Sequence, residues 1–239
     1  MMTETQWLSA ITPRPMLQHV RSRASARKLQ LIAVAAWRQI ARHFDDPGMS
    51  PLVELVGRQA EGEVSLSDWQ EAVRVGERYG LEAATLFGNS PAVAARLALR
   101  ALVSGPPPVA LAAVLAWTEA FEARASPTGR SRPAVRSAQR MHADLFREIL
   151  GNPFQERTIA PEWMTTGGGI IPSWTLRISE TAKALADGIQ ADQAFERLPI
   201  LADALEESGC TDTELLAHLR EPGRHVRGCW ALDLVLGKG

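Results

Sequence analysis

"SARKLQLIAVAAWRQIARHF", residues 25–44, decides the fold class of this chain. Leu29, Ile32, Ala33, Ala36, Ile40 and Phe44 recur at intervals of three and four, so a helix sets them on one stripe with the arginines opposite. The same period runs through the following segments. "SLSDWQEAVRVGERYG" (65–80) opens on serines at capping positions and reaches a stop signal at Gly80. "SPAVAARLALRALVSG" (90–105) carries Pro91 where a first turn tolerates it, and its alanines and leucines favour helix. "PPPVALAAVLAWTEAFEARA" (106–125) repeats that pattern and, as the most apolar segment, is expected to be the central helix. "RPAVRSAQRMHADLFREIL" (132–150) runs until "GNPF" ends it. No stretch alternates with period two. The expectation is therefore an all-α chain: an irregular multi-helix bundle or helical-repeat-like array with one long aromatic-studded loop.

Three segments read as loops: "DDPGMSP" (45–51), the linker-like "ASPTGRSRP" (125–133), and "GNPFQERTIAPEWMTTGGGIIPSW" (151–174). A loop as long as the last is either disordered or packed by its own apolar side chains, and Phe154, Ile159, Trp163 and Trp174 favour packing. Its triple glycine is not a phosphate loop, since no lysine–serine pair follows Gly169 and no strand precedes it.

The 239 residues carry a net charge of −1, and that figure hides an asymmetry. Between Thr5 and Phe44 there is no acid, while Arg14, Arg21, Arg23, Arg27, Lys28, Arg38 and Arg42 are basic. From Asp192 to Glu221, Asp192, Glu196, Asp203, Glu206, Glu207, Asp212, Glu214 and Glu221 face only Arg197 and Arg220. A second basic run, "RASPTGRSRPAVRSAQR", spans 124–140. Such asymmetry marks a macromolecular partner surface or two ends that face each other. Nucleic acid is the lesser expectation, because no aromatic residues interleave the basic runs and no binding motif occurs. The tryptophans, seven against one tyrosine, read mainly as core anchors. Two cysteines in a chain this long fit a reducing compartment. The start shows no signal-peptide pattern. The longest apolar runs, "LIAVAAW" and "VALAAVLAW", fall far short of the ~20 residues a membrane helix needs. The expectation is a cytoplasmic protein with no membrane partner.

Chemistry concentrates in "CTDTELLAHLREPGRHVRGCW" (210–230), which holds both cysteines and two histidines. Thr211 with Glu214 reads as a capping box, Cys210 and Leu215 as its hydrophobic staple, and a second short helix starts near Gly228. Cys210 and His218 lie eight residues apart, ~12 Å along a helix, which argues against a four-ligand zinc site. His218, His225 and Cys229 remain as a candidate three-ligand set, because a turn at Gly223 brings His225 back toward His218. The weightier expectation is two small core cysteines, with the histidines bonding turn carbonyls or meeting solvent. Cys229 is the thiol to label, since Arg227 and the start of the last helix supply positive charge. No nucleophile elbow, zinc-protease or deaminase pattern occurs, and Asp45–Asp46 and Glu206–Glu207 read as solvated faces. No catalytic residue and no cofactor is assigned.

The segment "TETQWLSAITPRPMLQHVRSRASARKLQLIAVAAWRQI" (3–40), and the run from "LFREILGNPF" (145–154) through "FERLPILADALEESGCTDTELLAHLREPGRHVRGCWALDLVLGKG" (195–239), resemble a large family of uncharacterised planctomycete bacterial proteins. Members open on T-E-x-x-W-L…D-P-x-P-M-L-x-F-L-R and close on G-C…L-L-x-H-x-R…H-V-R-G-C-W-x-x-D-L-x-L-G-K. The likeness covers roughly residues 3–44 and 145–239 and not the middle. It implies no activity. Relatives carry A-C-A-C-C in the first long helix where this chain has "AVAAW" (33–37). Any metal site that used those cysteines is thus incomplete here. Pairing of the two matching ends would explain the charge asymmetry, basic N-terminal helices against acidic C-terminal ones, and charge reversal at Arg27 and Lys28 is then expected to destabilise the fold. The domain expectation is an N-terminal helical part (1–124), a linker (125–133) and a C-terminal helical part (134–239) packed with residues 1–44.

The functional expectation is a non-enzymatic helical adaptor or regulatory subunit that binds another protein. Its candidate contacts are Arg14, Arg21, Arg23, Arg27, Lys28, Phe154, Trp163 and Trp174. The alternatives are a zinc- or thiol-dependent enzyme or sensor centred on His218, His225 and Cys229, and a nucleic-acid accessory protein using the arginine-rich stretches.

Overall fold

The computed structural model describes residues 2–41, 48–85, 91–125, 131–155, 173–223 and 225–238, and among these every regular element is helical. The all-α expectation holds. The chain forms two compact units, Met1–Asn152 and Pro153–Gly239. None of the helices among the described residues is long and apolar enough to cross a membrane.

The first unit contains α1 (Glu4–Ser9), α2 (Pro13–Val20), α3 (Ala26–Ala41), α4 (Met49–Ala60), α5 (Leu66–Thr85), α6 (Pro91–Ser104), α7 (Pro107–Ala125) and α8 (Ser131–Leu150). At its centre lies α3, with α4, α6, α7 and α8 packed on it. Between Leu29 and Ile40 only Gln30 and Arg38 escape full burial. The sequence reading saw one apolar stripe there. The alanines at 33, 35 and 36 extend the buried surface around the helix, because small side chains let neighbours approach from several sides. The more apolar α7 is as central, packing on α2, α3, α6 and α8, but it is less fully buried than α3 and leaves Val109 62% exposed.

Gly80 does not stop α5, which continues to Thr85. Gly80 and Gly76 are instead places where α6 approaches closely. A Cβ on Gly76 would run into Cγ2 of Val103, a buried and β-branched residue, whereas one on Gly80 would meet Cδ of Arg100. The two sites therefore respond differently to alanine. Alanine gains about 1 kcal/mol of helix propensity at either. Overpacking against the stiff Val103 costs about 1–3 kcal/mol, while the Arg100 side chain is half exposed and swings aside. Thermal unfolding should show Gly76→Ala melting several degrees below Gly80→Ala; equal or reversed melting temperatures would refute the close-approach reading.

The end of α8 is joined to the N-terminal helices by side chains. Lys28 Nζ donates to Ile149 O at 2.9 Å, Trp7 Nε1 donates to Gly151 O at 3.0 Å, and Arg147 Nη2 donates to Ala10 O at 2.9 Å. Asn152 Nδ2 donates to Glu4 Oε1. Two of these donors satisfy carbonyls that a helix terminus leaves without intrahelical partners. A capping box between Thr3 and Gln6 fixes the start of α1, with Thr3 N donating to Gln6 Oε1 at 2.9 Å. These contacts bring "TETQWL" together with "LFREILGN", two of the segments that carry the family resemblance.

The divide between units differs from the one read in the sequence. Since α8 packs on α2, α3 and α7, it belongs to the first unit, and the boundary follows Asn152 rather than 125–133. Met49–Pro51 form the first turn of α4, and 131–133 and 173–174 likewise sit inside helices. The rest of the three expected loops lies outside the described residues, apart from Gly48, Ala125 and 151–155.

The second unit contains α9 (Ser173–Asp192), a single 3₁₀ turn (Phe195–Arg197), α10 (Leu198–Glu207), α11 (Thr213–Arg220) and α12 (Trp230–Leu236). Ala182, Ala186 and Ile189 of α9, Leu201 and Leu205 of α10, Leu215 and Leu219 of α11, and Leu232 and Val235 of α12 share one apolar core. Cys210 and Cys229 are buried in the same core.

Candidate metal centre

The N-cap of α11 is Asp212, one residue later than the Thr211 expected. Its Oδ1 accepts from Glu214 N at 3.1 Å and from Leu215 N at 3.0 Å. A carboxylate holds both amides and also opposes the positive end of the helix dipole, which explains its preference over the neighbouring hydroxyl. With the start fixed there, Leu215, Leu216 and Leu219 turn inward and His218 stands half-buried in the last turn. Glu221, the C-cap, is extended and turns the chain away. The connection closes through Cys229 N donating to Val226 O at 3.0 Å. Cys229 then becomes the N-cap of α12, its side chain fully buried.

This path brings His218, His225 and Cys229 together, as the three-ligand reading expected. Cys229 Sγ lies 3.3 Å from His218 Nε2 and 3.9 Å from His225 Nδ1, and the three ligand atoms all lie within 4.8 Å of one another. The two imidazoles meet edge to face at 5.1 Å between centroids, and the Trp230 ring lies 5.0 Å from that of His218. Cys210 takes no part in the cluster. Burial pushes its thiol pKa up, and the charges of Asp212 and Glu206 add to this against a backbone hydrogen bond from Asp212.

Proton placement bears on what the cluster can hold. His225 Nε2 lies 3.2 Å from Glu221 O, and a carbonyl only accepts, so the proton of the neutral ring sits on Nε2. The lone pair on Nδ1 then faces the sulfur. A backbone carbonyl that fixes the tautomer in this way is the usual outer support of a metal-binding histidine. Distances agree. Zinc bonds of about 2.0–2.3 Å at tetrahedral angles hold neighbouring ligand atoms about 3.4–3.6 Å apart, and the observed 3.3 and 3.9 Å bracket that range. The weightier expectation of core cysteines and a histidine on a turn carbonyl also holds at Cys210, Cys229 and His225. The two descriptions coincide, because the carbonyl that satisfies His225 is the one that aims its other nitrogen inward.

Among the described residues the remaining sequence candidates are not assembled into a site. In the first unit Arg14, Arg21 and Arg23 are exposed. Arg27 pairs with Glu61 at 2.7 Å, and that carboxylate is only 3% exposed. Lys28 is buried. Arg132, Arg136 and Arg140, spaced four apart, are exposed along α8. In the second unit Phe154 is partly exposed. Trp163 lies outside the described residues, as does the side chain of Trp174 in α9. Of the tryptophans expected as core anchors, Trp7 and Trp37 are buried and Trp69, Trp117 and Trp230 half-buried.

The sequence reading missed two contributors, the Asp212 cap and the Trp230 ring beside His218. The signal for the first was an acid directly before a Thr-Glu-Leu-Leu helix start; no spacing rule pointed to the second. No known family model, curated protein or solved structure matches this chain.

Proposed function

We propose that the second unit binds a thiophilic divalent transition metal, with zinc foremost, through His218 Nε2, His225 Nδ1 and Cys229 Sγ. The observation that carries this reading is the convergence of the three donor atoms within 4.8 Å. One thiolate and two imidazoles suit zinc and its neighbours, whereas magnesium and calcium require oxygen ligands. This reading is preferred to an adaptor working through the basic N-terminal face, because Arg27 and Lys28 of that face are already engaged inside the first unit.

Elemental analysis of the full chain, purified without chelator and dialysed, is expected to find about one zinc per chain. Cys229→Ser should weaken binding by more than the roughly 10–100-fold that outer supporting groups alone contribute. Affinity should fall as the solution is acidified, since both imidazoles must be neutral and the thiol ionised to bind. Cobalt(II) substitution should give a sulfur-to-metal charge-transfer band that Cys229→Ser removes. Wild-type chain with no retained metal, or undiminished zinc in Cys229→Ser, would refute the assignment.

A further inference from the structure

The three donors come from three consecutive pieces of chain. His218 lies in the last turn of α11, His225 lies in the connection, and Cys229 caps the start of α12. With seven residues, α12 is well below the ~12–15 at which an isolated helix becomes marginally stable in water. Its N-cap side chain makes no capping hydrogen bond. The connection contains Pro222 and Gly223 and reverses through Gly228 at φ 88°. The segment is held by Ala231, Leu232 and Val235 in the core. An ion on the three donors would tie both ends of the connection to one point.

We infer that metal occupancy controls whether the segment from His225 to Leu236 stays docked on the second unit. The metal acts as a latch, and its loss releases an apolar helix face formed by Ala231, Leu232 and Val235. This rests on the metal-binding reading above. It adds that opening of the segment breaks the ligand set, so that only the docked form holds the ion. The opening equilibrium then falls by a factor of one plus the ratio of free ion to its Kd, about 100-fold at a hundred times Kd.

Hydrogen–deuterium exchange of the full chain tests this, comparing zinc buffered at about a hundred times its Kd with EDTA, and magnesium chloride as a control. Zinc should slow the amides of residues 226–236 by roughly 100-fold while leaving those of α10 unchanged, and magnesium should do nothing. His225→Ala, at a half-buried position in the connection, should abolish the slowing even if Cys229→Ser does not fold. Bound zinc with unchanged exchange in α12 would overturn the latch and leave the metal site standing. Equal slowing in α10 and α12 would overturn it as well, by showing that the ion stabilises the unit as a whole. No bound zinc would remove the metal reading and the latch with it.

Discussion

Trp7→Ala should lower the unfolding free energy by about 3–5 kcal/mol, the range for truncating a fully buried large aromatic residue. Trp7 is 0% exposed, packs edge-on to Phe146 at 6.3 Å between centroids, and donates its indole N–H to Gly151 O. The substitution therefore opens a cavity and leaves a carbonyl at the end of α8 unsatisfied. Trp7→Phe separates the two effects. It keeps most of the ring volume and loses the hydrogen bond, for an expected cost of about 1–3 kcal/mol. Urea denaturation followed by circular dichroism measures both. A loss below about 1 kcal/mol for Trp7→Ala would mean that α1 is not integral to the first unit.

Lys28→Glu is expected to have an effect of similar size, about 3–5 kcal/mol, as for an uncompensated charge left in a buried site. Lys28 is 8% exposed and its ammonium donates to Ile149 O. A carboxylate there would face a carbonyl oxygen and the negative end of α8. Lys28→Met, which keeps the stem and removes the charge, should cost only about 1–2 kcal/mol. From the sequence alone, charge reversal at Arg27 and Lys28 was expected to destabilise through lost attraction to the acids of 192–221. Within the first unit Arg27 pairs with Glu61 and Lys28 with the Ile149 carbonyl. Salt dependence distinguishes the two causes. A buried hydrogen bond is little screened, so the penalty of Lys28→Glu should persist at high ionic strength, whereas attraction between exposed charges would fade. A penalty that vanished in salt would restore the sequence explanation.

These residues also mark how far the sequence was legible. Helix period, proline at first turns and the Gly151 stop located α3, α6, α7 and α8 closely, because each of those signals acts within a few residues. The fuller burial of α3 was not legible, because apolar content does not report how completely neighbours cover a helix. Alanine in α3 looks modest in composition, yet it is what lets several helices close on it. Gly80 was misread as a stop because a close approach depends on a residue twenty positions away, Arg100. The grouping of His218, His225 and Cys229 was legible, since all three lie within twelve residues and one turn suffices to join them. The shift of the cap from Thr211 to Asp212 was not, because adjacent capping residues compete and the buried leucine face downstream decides between them.

The bonds from Trp7 and Lys28 to the end of α8 also set a schedule for the nascent chain. Trp7 and Gly151 are 144 residues apart. At roughly 5–20 residues per second of synthesis, that interval lasts on the order of 7–30 s. Throughout it the first helices exist without the carbonyls that receive their donors, and the aromatic side chain that later fills the core waits outside it. The earliest-made part of the first unit is thus among the last to be completed, and a ribosome that stalls before Gly151 leaves the N-terminus undocked.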